Sequence, residues 1–502
     1  MRRTLRVVGI TVLTITPYLK GFSTLLFGSS KQKMQDIMQA GRNELRSRNC
    51  GTLCSQLAEE IPAEMVSRHA STIRTRVYSH EVTFWAFLSQ VLSEDGSCAF
   101  AVAQVQQWMR GRGQGVPSSE TGSYVAARQS LPPEMLKAIH SDLFSKLDQN
   151  LSNEQLWHGH RIKAIDATSV QLPDTKENQA AFPQPTGQSP GCGFPVAQLV
   201  GLIDLCHGGL EDFAVTPLRS SEMRGYDRLE KYLTRGDVLV ADRLYSSYEI
   251  VARLQAQGVE FIGRPHASRR LDFRRGKKIG PNERIQVWKK PRKPALCQLT
   301  EEQWAELPEE ISVRIIRTKG PDREGKQTTR YVVTTLLDAE KYPAEEVGSL
   351  YVHRWEIELR FRDIKTTMGM EMLRTKTPQM ALKEIMMHSI AYNVIRLLML
   401  KAAAVHHCSH RRIGFKGVLQ VLDATRAEFE KVSGKPQLLN REKANLLARI
   451  AERAEPERPG RNEPRKKKRR PKSYGWLQQP RQSHPEHFQS DKPPRKILDE
   501  AA

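Results

Sequence analysis

The sequence predicts an α/β protein in which a mixed sheet, interrupted by a β-rich insertion, follows an all-helical stretch. Three observations carry that expectation. Apolar residues recur at helical spacing between residues 31 and 150. From residue 161 the texture changes to short β-branched runs broken by turn residues, after which strand and helix alternate. Between 265 and 345 alternating strand patterns return inside that α/β region and then give way to two helices.

Composition narrows the function. The chain has 502 residues, 39% of them hydrophobic, which suffices for a buried core and excludes wholesale disorder. Its 78 Lys and Arg against 56 Asp and Glu leave a net charge of +22, which calls for a polyanionic partner, ordinarily nucleic acid. No run of 18 apolar residues is present and no amphipathic anchor stands out, so no membrane role is expected. Seven cysteines, an odd number scattered from Cys50 to Cys408, make no disulfide framework and fit a reducing cytosol. Arg2, Arg3 and Arg6 ahead of an apolar run at 7–15 imitate a signal peptide, but Pro17, Tyr18 and Lys20 interrupt it and no clean cleavage site follows. Residues 1–30 are therefore expected to be a loose basic and apolar extension, or a stretch translated from upstream of the true start.

In chain order, Glu81-Val82-Thr83-Phe84-Trp85-Ala86-Phe87-Leu88 opens one periodic run in the 31–150 region and residues 97–109 make another. Ser118, Ser119 and Gly122 read as a turn into a helix bearing Tyr124 and Arg128. This region is either a bundle with a solvated basic face or a DNA-binding helical domain, and the basic composition favours naming it the latter. Residues 151–264 then form the first part of the α/β core. Strands are expected at 162–165, 196–205 and 213–218, with Gly208-Gly209 turning a hairpin, then a helix at 221–233 capped by Ser221. The continuous apolar strand 238–241, a helix at 246–257 and a strand at 260–262 complete it. The insertion, 265–345, opens with a dense basic stretch and carries strand patterns at 285–288, 312–316 and 329–335. A long helix at 343–368 and an apolar helix at 381–404 make the second, helical part of the core, 346–405. A helical region at 406–452 precedes a basic Pro-rich tail, 453–502. Its run Arg-Lys-Lys-Lys-Arg-Arg at 465–470 cannot pack and serves either as a soluble tail or as a phosphate-binding arm.

Three acids sit where a metal site could assemble. Asp166 ends the strand pattern 162–165 and Asp242 ends 238–241; either alone reads as an ordinary capping Asp. Tyr351, Arg354, Glu358 and Lys365 fall at offsets 0, 3, 7 and 14, within one narrow arc of a helix at about 100° per residue. Such a stripe suits a phosphodiester, with the carboxylate holding a divalent cation. It equally suits a surface ladder, since Arg354 and Glu358 make an ordinary i,i+4 pair.

The spacing Tyr351-x2-Arg354-x3-Glu358-x6-Lys365 resembles the Tyr-Arg-Glu-Lys signature of the insertion-sequence-four family of DDE transposases. Val240-Ala241-Asp242-Arg243-Leu244-Tyr245 resembles that family's second acidic motif, and Ala164-Ile165-Asp166-Ala167-Thr168 its first. Asp166 and Asp242 stand 76 residues apart, and Asp242 and Glu358 stand 116 apart, room for the family's β insertion. The Thr83–Phe87 region and the basic tail also look family-like, so the likeness spans roughly residues 40 to 485.

The resemblance implies an RNase H-like catalytic fold in which Asp166, Asp242 and Glu358 bind two Mg²⁺ ions, with Mn²⁺ able to substitute. It implies cleavage of double-stranded DNA at transposon inverted ends, then attack of the freed 3′ hydroxyl on target DNA. Tyr351, Arg354, Lys365 and Tyr245 are expected to contact the DNA. A homodimer on DNA is expected, because synapsis joins two ends, with the protein in the cytoplasm at the nucleoid. Relatives in this group pass through a DNA hairpin using an aromatic of the insertion. Trp288 is the candidate for receiving a flipped base, although a buried structural role is as well supported. Trp304, behind a capping-box start at Thr300 and Gln303, reads as helix packing.

Other features are weaker. His406, His407, Cys408 and His410 are crowded and lack a second pair for zinc, and Cys50 and Cys54 have no partner cluster. Asp204 either approaches the site or is turned away by strand alternation. No P-loop is present, so ATP is not implied. Two rival functions remain open on sequence alone: a silent DNA-binding regulator derived from a transposase, and a nuclease of the same fold that cuts without joining.

Overall fold

The computed structural model describes residues 6–7, 10–11, 54–70, 77–456 (apart from 112, 221, 267–268, 270, 296, 322–326 and 433–434), 477, 479 and 480. The run at 465–470, the Ser221 cap and most of the first fifty residues lie outside the described residues. Residues 1–51 and 52–502 are separate units. In the first, Arg6–Val7 (β1) pairs antiparallel with Ile10–Thr11 (β2).

The second unit begins with five helices: Ala63–His69 (α1), His80–Leu92 (α2), Cys98–Arg110 (α3), Gly122–Ser130 (α4) and Pro133–Gln149 (α5). Ser79 and Ser97 cap α2 and α3, their hydroxyls accepting from the Val82 and Phe100 N–H groups at 3.2 and 3.0 Å. Helix α2 is buried from Thr83 to Val91, more than an amphipathic surface helix requires, because other helices surround it. Arg128, which the sequence would place on a solvated basic face, is instead buried over the rings of Phe87 and Tyr124, and it donates to Gln90 Oε1 at 3.1 Å.

Nine strands form one mixed sheet: Ile162–Gln171 (β3), Val196–Asp204 (β4), Leu210–Pro217 (β5), Val238–Val240 (β6), Glu260–Gly263 (β7), Lys277–Gly280 (β8), Glu283–Lys289 (β9), Glu310–Pro321 (β10) and Gln327–Thr334 (β11). Their order is β5-β4-β3-β6-β7-β11-β10-β9-β8. Strands β3, β6 and β7 run parallel, and the remaining pairings are antiparallel. The parallel strands need crossovers, which Met223–Leu229 (α7) and Tyr248–Gln257 (α8) supply; a short helix, Lys176–Ala181 (α6), lies between β3 and β4. Ser247 caps α8, and Gly258 ends it at φ +73°, the left-handed conformation only glycine adopts without strain.

The β-rich insertion adds to the same sheet. Val333 and Thr334 of β11 pair with Gly263 and Ile262 of β7, so the edge of the parallel strands is covered by hydrogen bonding. Ile311, Val313, Ile315 and Trp288 from the insertion join Val251, Leu254 and Phe261 in one apolar cluster. A six-residue helix, Glu301–Glu306 (α9), carries the expected capping box at Thr300 and Gln303 and buries Trp304.

The helix expected at 343–368 is broken into Ala344–His353 (α10), Trp355–Arg362 (α11) and a π-helical turn, Asp363–Thr367. At the first break the Arg354 and Ile357 N–H groups bond three residues back, to Tyr351 and Arg354, which tightens the turn. The 28-residue helix Pro378–Val405 (α12) is buried on nearly every side, against α2, α5 and Pro436–Ala451 (α14); Phe415–Val432 (α13) lies between α12 and α14 in the chain.

Candidate active site

Strand register assembles the first two acids. In the parallel pair β3–β6, Ala164 stands beside Val240. Carried past the end of β6, the same register brings Asp242 toward Asp166, which lies midway along β3 rather than at its end as expected, since that strand runs on to Gln171. Asp242 follows Ala241, whose N–H still bonds Ile262, and it caps the 3-10 turn Arg243–Tyr245, its Oδ1 accepting from the Leu244 N–H at 2.7 Å.

Helix α11 brings the third acid. Asp166 pairs across β4 with Gly201, where a Cβ would stand 3.0 Å from the Phe361 ring. The bare backbone thus lets α11 lie against the sheet beside Asp166. Glu358, three residues before Phe361, is on this helix. Arg354 joins the acids: one guanidinium nitrogen donates to Asp166 Oδ2 at 3.2 Å and another to Glu358 Oε1 at 3.1 Å. The π turn carries Lys365, whose Nζ donates to Thr168 Oγ1 at 3.1 Å. Thr168 is two residues beyond Asp166 and so shares its face of the strand.

The electrostatics agree with this grouping. Burial raises the Asp166 carboxyl above its usual range; the Ala167 N–H and the Arg354 charge pull against that, while Asp242 and Glu358 push with it. Burial also raises the Tyr351 hydroxyl, with Arg354 and Arg264 opposing and Asp242 adding to the rise. The oxygens of these three acids do not all lie within 4.8 Å of one another; as carboxylates they are the hard oxygen ligands that suit a divalent cation of the Mg²⁺ class.

Residues 157–394, which contain all of these groups, match the family described as Transposase DDE domain. The chain is 26% identical over 362 residues to transposase InsG for insertion sequence element IS4 of Escherichia coli strain K12, covering 70% of this chain and 77% of that one. Residues 157–394 therefore carry a transposase DDE domain. Among solved structures, the piggyBac transposase synaptic complex with hairpin DNA is similar at a TM-score of 0.40 and 11% identity, covering 82% of this chain and 84% of that one. Membership in a DDE transposase family carries dependence on a divalent metal.

Two DNA-contact expectations need correction. Tyr245 is fully buried, its ring near Tyr226 and its hydroxyl donating to Glu222 Oε1 at 2.5 Å, so its surface is spent on packing. Trp288 is 4% exposed in the cluster beneath α8, with the Arg269 guanidinium 3.8 Å from its ring centre. In this arrangement its ring face is already occupied by a cation and no base has access to it. Trp355, half exposed and next to Arg354 in the chain, is a large aromatic at the start of α11. Its exposure was not readable from spacing, because the helix was expected to be continuous. Glu222 also escaped sequence reading: nothing about an acid in a linker marks it as a neighbour of two others. Burial raises its carboxyl, the Tyr245 hydroxyl opposes, and Asp166 and Asp242 push it higher.

Asp204 faces away from this site. It pairs with Lys163, at the opposite parity from Asp166 along β3, and is wholly buried. With Asp148 and His207 it forms a group whose potential ligand atoms lie within 4.8 Å. Arg161 bonds both carboxylates at 2.6 Å, which offsets part of the group's negative charge. His410 packs on Arg396. Among the described residues His406, His407, Cys408 and His410 do not come together as a ligand set. No described helix is long and apolar enough to cross a membrane.

Proposed function

We propose that this transposase cleaves DNA at the inverted ends of its element and joins the freed 3′ ends to target DNA, using Asp166, Asp242 and Glu358 as ligands for two Mg²⁺ ions. The observation that carries the reading is Arg354 reaching both Asp166 and Glu358, together with the parallel pairing of β3 and β6 that runs toward Asp242. The strand order β5-β4-β3-β6-β7, in which β4 alone runs opposite to the other four, supports an RNase H-like core to which the insertion adds four strands.

The chain's own residues do the following. Asp166 presents its carboxylate from within β3 and Asp242 from just beyond β6, and Glu358 closes the site from α11. Arg354 and Lys365 supply positive charge beside the acids, the planar guanidinium suited to two phosphate oxygens at once. Tyr351, half-buried between them, directs a hydroxyl at the backbone of the strand being cut. When bound, Mg²⁺ supplies acidification of the attacking oxygen and stabilisation of the leaving one. In the first step water attacks phosphorus and the 3′ oxygen leaves as a hydroxyl; in the second that hydroxyl attacks a target phosphodiester, and the target strand's own 3′ oxygen leaves. Neither step requires a covalent bond to the protein. Joining two ends requires two protomers, so the working form is a homodimer on DNA, acting at the cell's own DNA.

The test is Mg²⁺-dependent cutting and joining on DNA carrying the element's flanking ends, with Asp242→Asn and Glu358→Gln as controls. Cut and joined products, both lost in the controls while DNA binding persists, are expected. Cutting without joined product would make the protein a nuclease, and binding without cutting a regulator.

A further inference from the structure

We infer that Glu222 and Tyr245 are positioning residues for Asp242, a buried clamp that holds the turn bearing this carboxylate in its ligating orientation. The inference rests on Asp242 being part of the metal-binding site proposed above.

The clamp is built from three pieces of chain. Asp242 and Tyr245 bracket a single 3-10 turn, closed by the Leu244 N–H on the Asp242 carboxylate at 2.7 Å and by the Tyr245 N–H on the Asp242 carbonyl at 3.3 Å. So short a turn has no register of its own, and its orientation depends on whatever anchors its far end. The anchor is the Tyr245 side chain, fully buried beside Tyr226, with its hydroxyl on Glu222 Oε1. Glu222 in turn precedes α7, which is pressed onto β4 so closely that a Cβ on Gly225 would collide with Val200. Val200 pairs with Ala167, the residue after Asp166. A continuous path of packed groups therefore runs from the strand of Asp166, through β4, α7, Glu222 and Tyr245, to the turn of Asp242. The Glu222 carboxyl also senses the charges of both Asp166 and Asp242, which sets it close behind the pair. Carboxylate ligands are commonly held by such outer hydrogen bonds, and losing one costs about 10- to 100-fold in metal affinity or activity.

The experiment uses the full chain with DNA carrying the element's ends. Mn²⁺ binding is read from the electron paramagnetic resonance of free Mn²⁺, beside cleavage rate, DNA affinity and thermal stability. Tyr245→Phe keeps the ring and removes the hydroxyl. It is expected to weaken Mn²⁺ binding about 10- to 100-fold, to slow cleavage in a way that excess Mn²⁺ restores, and to leave DNA affinity unchanged. Glu222→Gln keeps an amide oxygen for the tyrosine hydroxyl and is expected to stay close to the unsubstituted protein, whereas Glu222→Leu falls with Tyr245→Phe. Unchanged Mn²⁺ affinity in folded Tyr245→Phe overturns the inference, even if its stability drops, since that marks a packing role only. Glu222→Gln as weak as Glu222→Leu also overturns it, because charge rather than position would then be what matters. Asp242→Asn separates the two levels: if it binds Mn²⁺ as well as the unsubstituted chain, the metal site itself is misassigned and the clamp falls with it.

Discussion

Gly201→Ala is expected to damage catalysis far more than stability. The added Cβ would stand 3.0 and 3.1 Å from two atoms of the Phe361 ring and 3.3 Å from Leu210 Cδ1. Ordinary carbon contacts lie at about 3.5–4.0 Å, so the ring must retreat by about half an ångström or more. Overpacking of this kind costs about 1–3 kcal/mol. Replacing a strand glycine returns about 0.5–1 kcal/mol by removing freedom from the unfolded chain. The net loss of stability is therefore about 0–2.5 kcal/mol. Phe361 is on the same helix as Glu358, one turn on, so the carboxylate moves with the ring. A displacement near 1 Å at a catalytic group costs about 100-fold in rate. Urea unfolding and single-turnover cleavage of end DNA measure the two effects on one preparation. Phe361→Leu in the Gly201→Ala background removes the ring's edge and is expected to recover most of the cleavage. Full cleavage in Gly201→Ala, or a loss that Phe361→Leu leaves untouched, would refute the argument that this contact sets the depth of α11.

Three further outcomes follow from the same geometry. Arg354→Gln leaves Asp166 and Glu358 without their shared guanidinium, so Mg²⁺ should raise the melting temperature of this variant more than that of the unsubstituted protein; an equal shift would mean that the bridge does not compete with a cation for these oxygens. Lys163 is buried with Glu211 and Asp237, at 2.9 and 3.0 Å, and Lys163→Met strands both carboxylates, an expected loss of about 3–5 kcal/mol in urea unfolding. Burial brings His140 and His388 down to about 4, while burial and the Arg396 charge bring His410 to about 3. The unfolded chain, with histidines near about 6.5, binds more protons than the folded one in this window, so stability is whole above that pH and is lost as pH falls from 6.5 toward 4. Each histidine contributes a slope of about 1.4 kcal/mol per pH unit near pH 5, and His388→Asn should remove its share; an unchanged slope would place that proton elsewhere.

Much of the fold was legible in the sequence for local reasons. Strand and helix positions from 162 to 263 follow hydrophobic period and turn chemistry, which are properties of neighbouring residues. Thr300 and Gln303 announced their capping box, and Tyr351, Arg354, Glu358 and Lys365 stood out as a polar stripe. Asp242 was visible as well, because a side chain that ends a buried strand must emerge at the sheet's edge, whereas Asp166, read as ending a strand at 165, lies midway along one that runs to Gln171. Other features were decided only by the folded chain. That Asp242 comes near Asp166 depends on the pairing of strands far apart in sequence. That the insertion extends the sheet depends on the free edge of β7 needing a partner. Local pattern was equally silent on Trp288 turning inward beneath Arg269, and on Tyr245 being buried against Glu222. Periodicity tells which residues share a face; what covers that face, and which distant charge comes to meet it, is settled only when hydrogen bonds and close packing must be satisfied throughout the molecule at once.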